Sequence, residues 1–482
     1  MLDLRPVLYI VGILLTTLSV AMVLPAIADA ATNHADWQVF LASAGLTLFI
    51  GVSLMLTTRT GDMRIGIRQA FILTALSWVT VTTFAALPFT FAELDLSYTD
   101  AFFEAMSGIT TTGSTVLAGL DHVPPGILLW RALLQWLGGI GIVVMAVAVL
   151  PMLRVGGMQL FRTESSDTSE KVLPRAAQIA NAIGYIYLAL TLIFAGAYWA
   201  LGMTGFEAIA HAMTTIATGG FSTSDRSFAH FDSAAIEWVA VIFMIVGSLP
   251  FVLYLQAVRG RPMTLVNDSQ VRWFLAVVVL LVVAVALLHA ASNDVGHARA
   301  FRLAAFNAVS IMTGTGYATA SFDTWGGFAV VIFFLIMFIG GCAGSTTGGI
   351  KIFRFQVLYA NAAAHLNRLL RPHGVFIPYY NRRPISDDVA FSVLSFFFLY
   401  VLVYVLLTIL LGVFGLDFLT AVSGAASAIS NVGPGLGPTI GPAGNFADLP
   451  ATAKWVLSAG MLLGRLELFT ILVLLAPTFW KT

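Results

Sequence analysis

Four short stretches of this chain can hold a cation without a single charged side chain. They are Thr110-Thr111-Thr112-Gly113, Ala217-Thr218-Gly219-Gly220, Thr313-Gly314-Thr315-Gly316 and Ser430-Asn431-Val432-Gly433, each at the end of an apolar stretch. A dehydrated alkali cation needs replacement oxygens, and short extended backbones with carbonyls pointing inward from four sides supply them in stacked rings. Glycine suits the turns of such a backbone because it reaches φ > 0 at no steric cost. With no acid or base in these segments, discrimination rests on carbonyl number and geometry. The closing glycines lie 107, 96 and 117 residues apart. That period is too long for a solenoid and fits a helix, a re-entrant segment and a second helix, so four units of one chain can close one ring.

Two further features break the fourfold plan. Gly340-Gly341-Cys342-Ala343-Gly344-Ser345-Thr346-Thr347-Gly348-Gly349 interrupts an apolar stretch. Each glycine costs a helix about 1 kcal/mol relative to alanine, so the run predicts an unwound loop beneath the ring, its backbone satisfied by water. A phosphate-binding loop is disfavoured, because no strand precedes the run and Lys351 lacks the required spacing. The second feature is Arg465, within Gly464-Arg465-Leu466-Glu467 of the last apolar stretch. A charge at membrane depth is expensive and by default functional. Facing the ring axis, the guanidinium would repel a cation; paired with Glu467 or another acid, it would tie helices together. The two roles are compatible.

The elements that must position these residues follow from composition. With 59% hydrophobic and 10% charged residues, the chain cannot be wrapped in a water-facing surface, which needs about a quarter charged residues, and it belongs in a lipid bilayer. A formal net charge of zero argues against nucleic acid as a partner, and Cys342, the one cysteine, excludes an intramolecular disulfide and makes a thiolate metal cluster unsuitable. Apolar stretches long enough to cross a hydrocarbon core of about 30 Å occur near 7–24, 38–57, 70–92, 127–152, 180–202, 234–257, 273–291, 325–350, 389–414 and 452–477. The first reads as a retained helix and not a cleaved signal. Semi-apolar segments of about a dozen residues precede each tetrapeptide; too short to span, they should dip in and return, facing each other around an axis.

The fold class predicted is thus an all-α polytopic membrane protein: ten transmembrane helices and four re-entrant pore helices, arranged as four pseudo-fourfold units with two extra N-terminal helices. The divisions are 1–57, a two-helix extension; 70–153, unit 1; 179–257, unit 2; 272–352, unit 3 with its broken second helix and loop 340–349; 353–386, a cytosolic linker; and 387–482, unit 4. Aligned on the glycines, Glu104 falls over His211 and Asn307, and Trp130, Trp238, Trp325 and Trp455 open the following spans, where headgroup-level tryptophan is expected. Gly138, Gly139 and Gly141 suit close helix packing. With both termini cytoplasmic, 18 of the 24 Lys and Arg residues, Lys351 and Arg354 among them, fall on the inner side. Arg131, Arg226, Arg299, Arg302 and Lys454 fall on the outer side with acids such as Asp100, Glu104, Glu207, Asp225, Asp323 and Asp417. An acidic outer mouth would concentrate cations, unless these acids are solvated loop residues.

On these motifs, with Gln135-Trp136-Leu137-Gly138-Gly139, the glycine-rich 340–349 and Gly464-Arg465, the chain resembles the Trk/Ktr/HKT superfamily of potassium uptake proteins along essentially its whole length. Within it, the two extra N-terminal helices resemble the bacterial Trk membrane subunit. The resemblance implies a filter that binds K⁺ at the four tetrapeptides, a broken helix acting as an intramembrane gate (Gly340, Gly341, Gly344, Ser345, Thr346, Thr347, Gly348 and Gly349) and Arg465 lying against it. It further implies a homodimer in the bacterial inner membrane, docked on a cytosolic TrkA-like regulatory subunit that binds NAD(H) or ATP/ADP. No organic cofactor site is expected in the chain itself, which has no Rossmann fingerprint; the basic segments 154–175, 257–272 and 351–385 offer a landing site for the partner or for anionic lipid. Family members with serine at the first closing position admit Na⁺ more freely, so Gly113 points to K⁺. The second and fourth tetrapeptides depart from a strict Thr-x-Gly form. The reading is passive, channel-like conduction, with a K⁺ symporter coupled to H⁺ or Na⁺ as the alternative. A membrane-embedded enzyme is not supported: the chain has no paired intramembrane aspartates, no His-Glu-x-x-His and no serine with a nearby histidine within a span.

Overall fold

In the computed structural model, residues 3–59, 65–148 and 172–481 are described. Arg64, Arg154, Arg162 and Lys171, and most of the basic segment 154–175, lie outside them. Two long helices open the chain, α1 (Arg5–Ala31) and α2 (Trp37–Thr58). They cross so closely that a Cβ on Gly12 would stand 2.7 Å from the Gly51 carbonyl oxygen, the close approach that small residues permit in lipid. The pair docks on the remainder partly through Asp29, whose carboxylate accepts from the Gly126 N–H at 2.6 Å.

The four units follow in order. Unit 1 runs α3 (Ile67–Ala85), α4 (Leu87–Phe91), α5 (Tyr98–Ile109), which leads into the first tetrapeptide and has the place of the pore helix expected from the sequence, and α6 (Pro125–Ala148). Unit 2 has α7 (Val172–Ala200), pore helix α8 (Gly205–Ile216), α9 (Ala234–Gly247) and α10 (Phe251–Val258), followed by a short helix α11 (Met263–Asn267). Unit 3 has α12 (Ser269–Ser292), pore helix α13 (His297–Met312), α14 (Gly327–Ile336) and α15 (Ile352–Leu370). A hairpin, β1 (Tyr379–Tyr380) with β2 (Arg383–Pro384), leads to unit 4: α16 (Asp387–Val413), pore helix α17 (Phe418–Ser430), α18 (Ala451–Arg465), α19 (Phe469–Leu475) and α20 (Pro477–Trp480).

Three of the four helices that lead into the tetrapeptides start at a polar cap, and the one in unit 3 starts at Gly296 without one. Ser97 accepts from the Asp100 N–H, Asp417 from the Thr420 N–H, and Thr204 forms a capping box with Glu207, each satisfying an N–H that the helix leaves orphaned. The units pack in sequence around the axis: α6 of unit 1 lies on α8 of unit 2, α9 of unit 2 on α13 of unit 3, and α18 of unit 4 on α5 of unit 1.

Among the described residues, seven helices are long and apolar enough to cross a membrane, or nine if two sharply bent pairs each count as one. The ten continuous spans of the sequence reading are therefore not all present as such. The stretch 234–257 is bent by 92° at 248–250, and 452–477 by 114° at 466–468. The stretch 325–350 keeps only the ten residues of α14 as helix. The linker 353–386 is mostly the helix α15, whose first turns, including Phe353, Arg354 and Val357, are buried.

Candidate functional site

The four tetrapeptides begin as helix ends. In unit 1 the Thr112 N–H reaches back to the Ser107 carbonyl (2.8 Å) and the Thr111 N–H to that of Gly108 (2.9 Å). The same pair recurs as Gly219 to Thr214 and Thr218 to Thr215, Thr315 to Ser310 and Gly314 to Ile311, and Val432 to Ser427 and Asn431 to Ala428. This is the Schellman closure, which requires a left-handed residue just past the helix. Thr111, Thr218, Gly314 and Asn431 supply it with φ of 52°, 49°, 69° and 54°. The closing glycines are again left-handed, with φ of 89° (Gly113), 80° (Gly220), 81° (Gly316) and 108° (Gly433). The backbone is thus fourfold at two positions, whereas the sequence repeats only at the last. Alternating the sign of φ turns successive carbonyls to one side of the strand, the arrangement a cation ladder needs.

The segments meet as a closed ring. A Cβ on Gly113 would stand 2.2 Å from the Gly219 carbonyl oxygen, one on Gly220 1.8 Å from that of Thr315, one on Gly316 2.2 Å from that of Val432, and one on Gly433 2.8 Å from that of Thr112. Each closing glycine thus abuts the third carbonyl of the next unit, in the order 1, 2, 3, 4 and back to 1. Hydroxyls brace the segments from within: Thr110 to Thr112 at 2.8 Å, Thr313 to Thr315 at 2.7 Å, and Ser430 to Tyr400 at 2.7 Å. Asn431 joins units 4 and 1 through the Thr112 hydroxyl (2.9 Å).

The aligned trio Glu104, His211 and Asn307 holds the strands that leave the ring. Glu104 accepts from the Val116 N–H and the Thr115 hydroxyl, His211 Nε2 lies 3.0 Å from the Ser222 hydroxyl, and Asn307 accepts from the Thr319 N–H. Arg131, which the sequence suggested was only an outer cation, is buried. It bonds Glu104 at 2.8 Å and the Ser222 carbonyl at 2.8 Å, and stacks on Phe221, so it ties unit 1 to unit 2.

Beneath the ring, residues 340–349 are unwound. Protein groups satisfy much of the backbone, in place of the expected water. Cys342 N–H donates to the Ser248 carbonyl, Thr346 N–H to that of Gly247, and Ala343 N–H to the Gln270 side chain. The Thr346 hydroxyl donates to the Ile216 and Gly247 carbonyls and accepts from Thr218. A Cβ on Gly348 would fall 2.2 Å from the Ser430 carbonyl oxygen, so the loop touches both the second and fourth ring segments. Gly340, Gly341, Ser345 and Thr347 complete the tight turn; Gly344 points into open space.

Arg465 is buried and donates from Nη1 to the Thr346 carbonyl at 2.8 Å. Its Nε and Nη2 have no hydrogen-bond partner among the described residues. The pairing with Glu467 weighed from the sequence does not form. Glu467 instead bonds Arg354 at 2.5 Å, and Lys351 donates to the Thr347 carbonyl and hydroxyl. Lys351 and Arg354, expected in an inner segment, are therefore interior groups that belong to the loop region. A cavity of about 20 Å³ lies beside the loop, bordered by Gly348, Lys351 and Arg465.

The family of TrkH cation transport proteins matches residues 37–482. This chain belongs to the TrkH family. It is 45% identical over 477 residues to the Trk system potassium uptake protein TrkI of Halomonas elongata, covering 99% of this chain and 97% of that protein. It is 38% identical over 482 residues to the Trk system potassium uptake protein TrkH of Escherichia coli K12, with 99% of each chain covered. The crystal structure of the potassium transporter TrkH from Vibrio parahaemolyticus superposes with a TM-score of 0.93 over 100% of both chains at 39% identity. These relatives are transport proteins and not enzymes.

On the other side of the ring this TrkH-family chain has a cavity of about 310 Å³, which reaches Gly113, Gly220, Gly316 and Gly433. Its charged lining is Arg131 and Asp225, and Asp225 accepts from the Gly119 and Leu120 N–H groups. The acids assigned to the outer side from the sequence largely serve the fold: Asp417 and Glu207 cap helices, Asp100 pairs with Lys454, and Asp323 accepts from the Gly437 N–H. The acidic mouth expected from sequence is thus mostly a set of structural carboxylates. The Thr420 hydroxyl and backbone N–H hold the Asp417 carboxyl below its ordinary value, whereas burial raises that of Asp323. The tryptophans divide as well. Trp238 and Trp455 are exposed, but Trp130 is fully buried, donating to the Ala85 carbonyl, and Trp325 stacks on His289. Gly138 and Gly139 press on the ends of the pore helices of units 1 and 2, while nothing lies within 4 Å of a Cβ at Gly141.

Proposed function

We propose that this chain is the K⁺-conducting membrane subunit of a Trk-type uptake system, through which ions pass down their electrochemical gradient. The observation that carries the reading is the closed ring of four neutral segments, each turned by the same pair of left-handed residues. K⁺ would enter the outer cavity and exchange its water for carbonyls of residues 110–113, 217–220, 313–316 and 430–433. The negative ends of four pore helices favour a cation there. The ion would then meet the gate, loop 340–349 with Arg465, whose guanidinium opposes a cation electrostatically. The loop's seat against Thr218 and Ser430 supports a closed arrangement.

Regulation would come from a cytosolic TrkA-like subunit that binds NAD(H) or ATP/ADP, acting on a homodimer in the bacterial inner membrane with both termini cytoplasmic. The Trk system names of the relatives and the basic inner segments support this. Coupling to H⁺ or Na⁺ is disfavoured, because Glu467, the acid beside the loop, is held by Arg354. The test is rescue of a K⁺-uptake-deficient bacterium at limiting K⁺, with and without a coexpressed regulatory subunit, followed by current measurement in bilayers. Reversal at the K⁺ Nernst potential, independent of pH and Na⁺ gradients, is expected; a shift with either gradient would mean a symporter.

A further inference from the structure

The second ring segment lacks the internal brace of its neighbours. In segments 1 and 3 the third residue is threonine, and its hydroxyl bonds the threonine two residues earlier. Segment 2 has Ala217 and Gly219 at these places, so neither hydroxyl exists. Gln135, from α6 of the preceding unit, occupies the vacant space: a Cβ on Gly219 would stand 2.4 Å from its Cδ. Its amide clasps the segment on both sides of Gly220. Nε2 donates to the Gly219 carbonyl at 2.6 Å, and Oε1 accepts from the Phe221 N–H at 3.1 Å.

Units 2 and 4 have no such clasp at the matching position. Gly138, Gly247 and Gly464 each face the carbonyl of the last isoleucine of their own pore helix, at Ile109, Ile216 and Ile429, which aligns the three inner helices. Three residues earlier stand Gln135, Met244 and Met461, so the position is an amide in unit 1 and a buried thioether in the other two. The Gly219 carbonyl is also the ring oxygen that a Cβ on Gly113 would strike, so the atom Gln135 holds is one of the four at that level.

We propose that Gln135 is a specificity-determining positioning residue, an external brace that fixes the Gly219 carbonyl and so sets the discrimination of K⁺ from Na⁺. The proposal rests on the conduction reading above. An amide anchored by two hydrogen bonds restricts how far the carbonyl can turn to meet a smaller ion. Methionine fills similar volume without either bond.

Full-length protein reconstituted in liposomes decides the matter. Gln135→Met protein that folds and conducts ⁸⁶Rb⁺ should show a K⁺/Na⁺ permeability ratio, from bi-ionic reversal potentials, about tenfold below wild type, the scale of two net hydrogen bonds. Gly219→Thr alone should lose uptake through its collision with Gln135, and Gln135→Ala with Ala217→Thr and Gly219→Thr, which supplies the hydroxyl pair of segments 1 and 3, should discriminate better than Gln135→Ala alone. An unchanged ratio in a conducting Gln135→Met, or a folded triple variant no better than Gln135→Ala, overturns the proposal. Absence of K⁺ flux in the wild-type chain sinks the conduction reading and this proposal with it, whereas flux with an unchanged ratio sinks this proposal alone.

Discussion

In the orientation proposed above, the outer half of the four units, which holds the ring, and the inner half, which holds the loop, are built on opposite plans. In the outer half, four different tetrapeptides adopt one backbone, and each glycine abuts the next unit in the same way. In the inner half the units diverge. The α6 helix runs unbroken to Ala148, α9 and α10 turn through 92°, α14 gives way to a loop, and α18 and α19 turn through 114°. A coordination ring gains from equivalence, since each carbonyl should present the same oxygen to the ion. On the conduction reading proposed above, a gate gains from inequality: one part that moves, set among parts that hold it, could open without disturbing the ring.

The sharpest way to break this contrast is at the glycines. Gly220→Ala places a Cβ 1.8 Å from the Thr315 carbonyl oxygen at φ of 80°, and uptake of ⁸⁶Rb⁺ should fall about hundredfold or more. Equivalence predicts comparable losses at Gly113, Gly316 and Gly433; a freely tolerated alanine at any of the four would end the symmetry argument. Gly113→Ser protein that still conducts should admit more Na⁺ relative to K⁺, read from bi-ionic reversal potentials. In the inner half, Glu467→Gln leaves the buried Arg354 without its counter-charge, and stability should drop by about 3–5 kcal/mol. Thermal unfolding in detergent would register it, and Arg354→Met with Glu467→Leu should recover most of the loss. Arg465→Ala releases the Thr346 carbonyl and removes a positive charge from the loop, so basal flux should rise several-fold. Folded protein with wild-type flux would leave Arg465 a structural role only.

The smallest effect lies at the outer caps. Asp417→Ala should cost about 1 kcal/mol. Because the folded carboxyl titrates below its ordinary value, the native contribution is complete above the unfolded-state value and disappears as pH falls through the folded one. Acid titration of thermal stability, wild type against Asp417→Ala, should converge at low pH.

The sequence made the outer half partly legible and the inner half hardly so. Glycines at four matched positions announce a ring because few residues can hold those angles. The left-handed second position leaves no mark in the sequence, since Thr111, Thr218, Gly314 and Asn431 share no chemistry; the helix end imposes the angle on them. The glycine run 340–349 was visible as a break, but the bends at 248–250 and 466–468 hid inside windows that read as continuously apolar. Pro250 was the available sign for one, and Glu467, left-handed with φ of 58°, marks the other only in three dimensions. The partners of Arg465 and Glu467 depend on which helices meet, which spacing along one helix does not state. Trp130 misled for a similar reason: an indole suits the headgroup region and a buried carbonyl partner equally well.

The Schellman closures have a consequence for assembly. Each needs contacts no more than five residues apart, so the first bend of every segment can be set as soon as its own helix forms, without waiting for the other three to dock. Docking the units then brings together parts already shaped, and the long-range step is the joining of four finished corners.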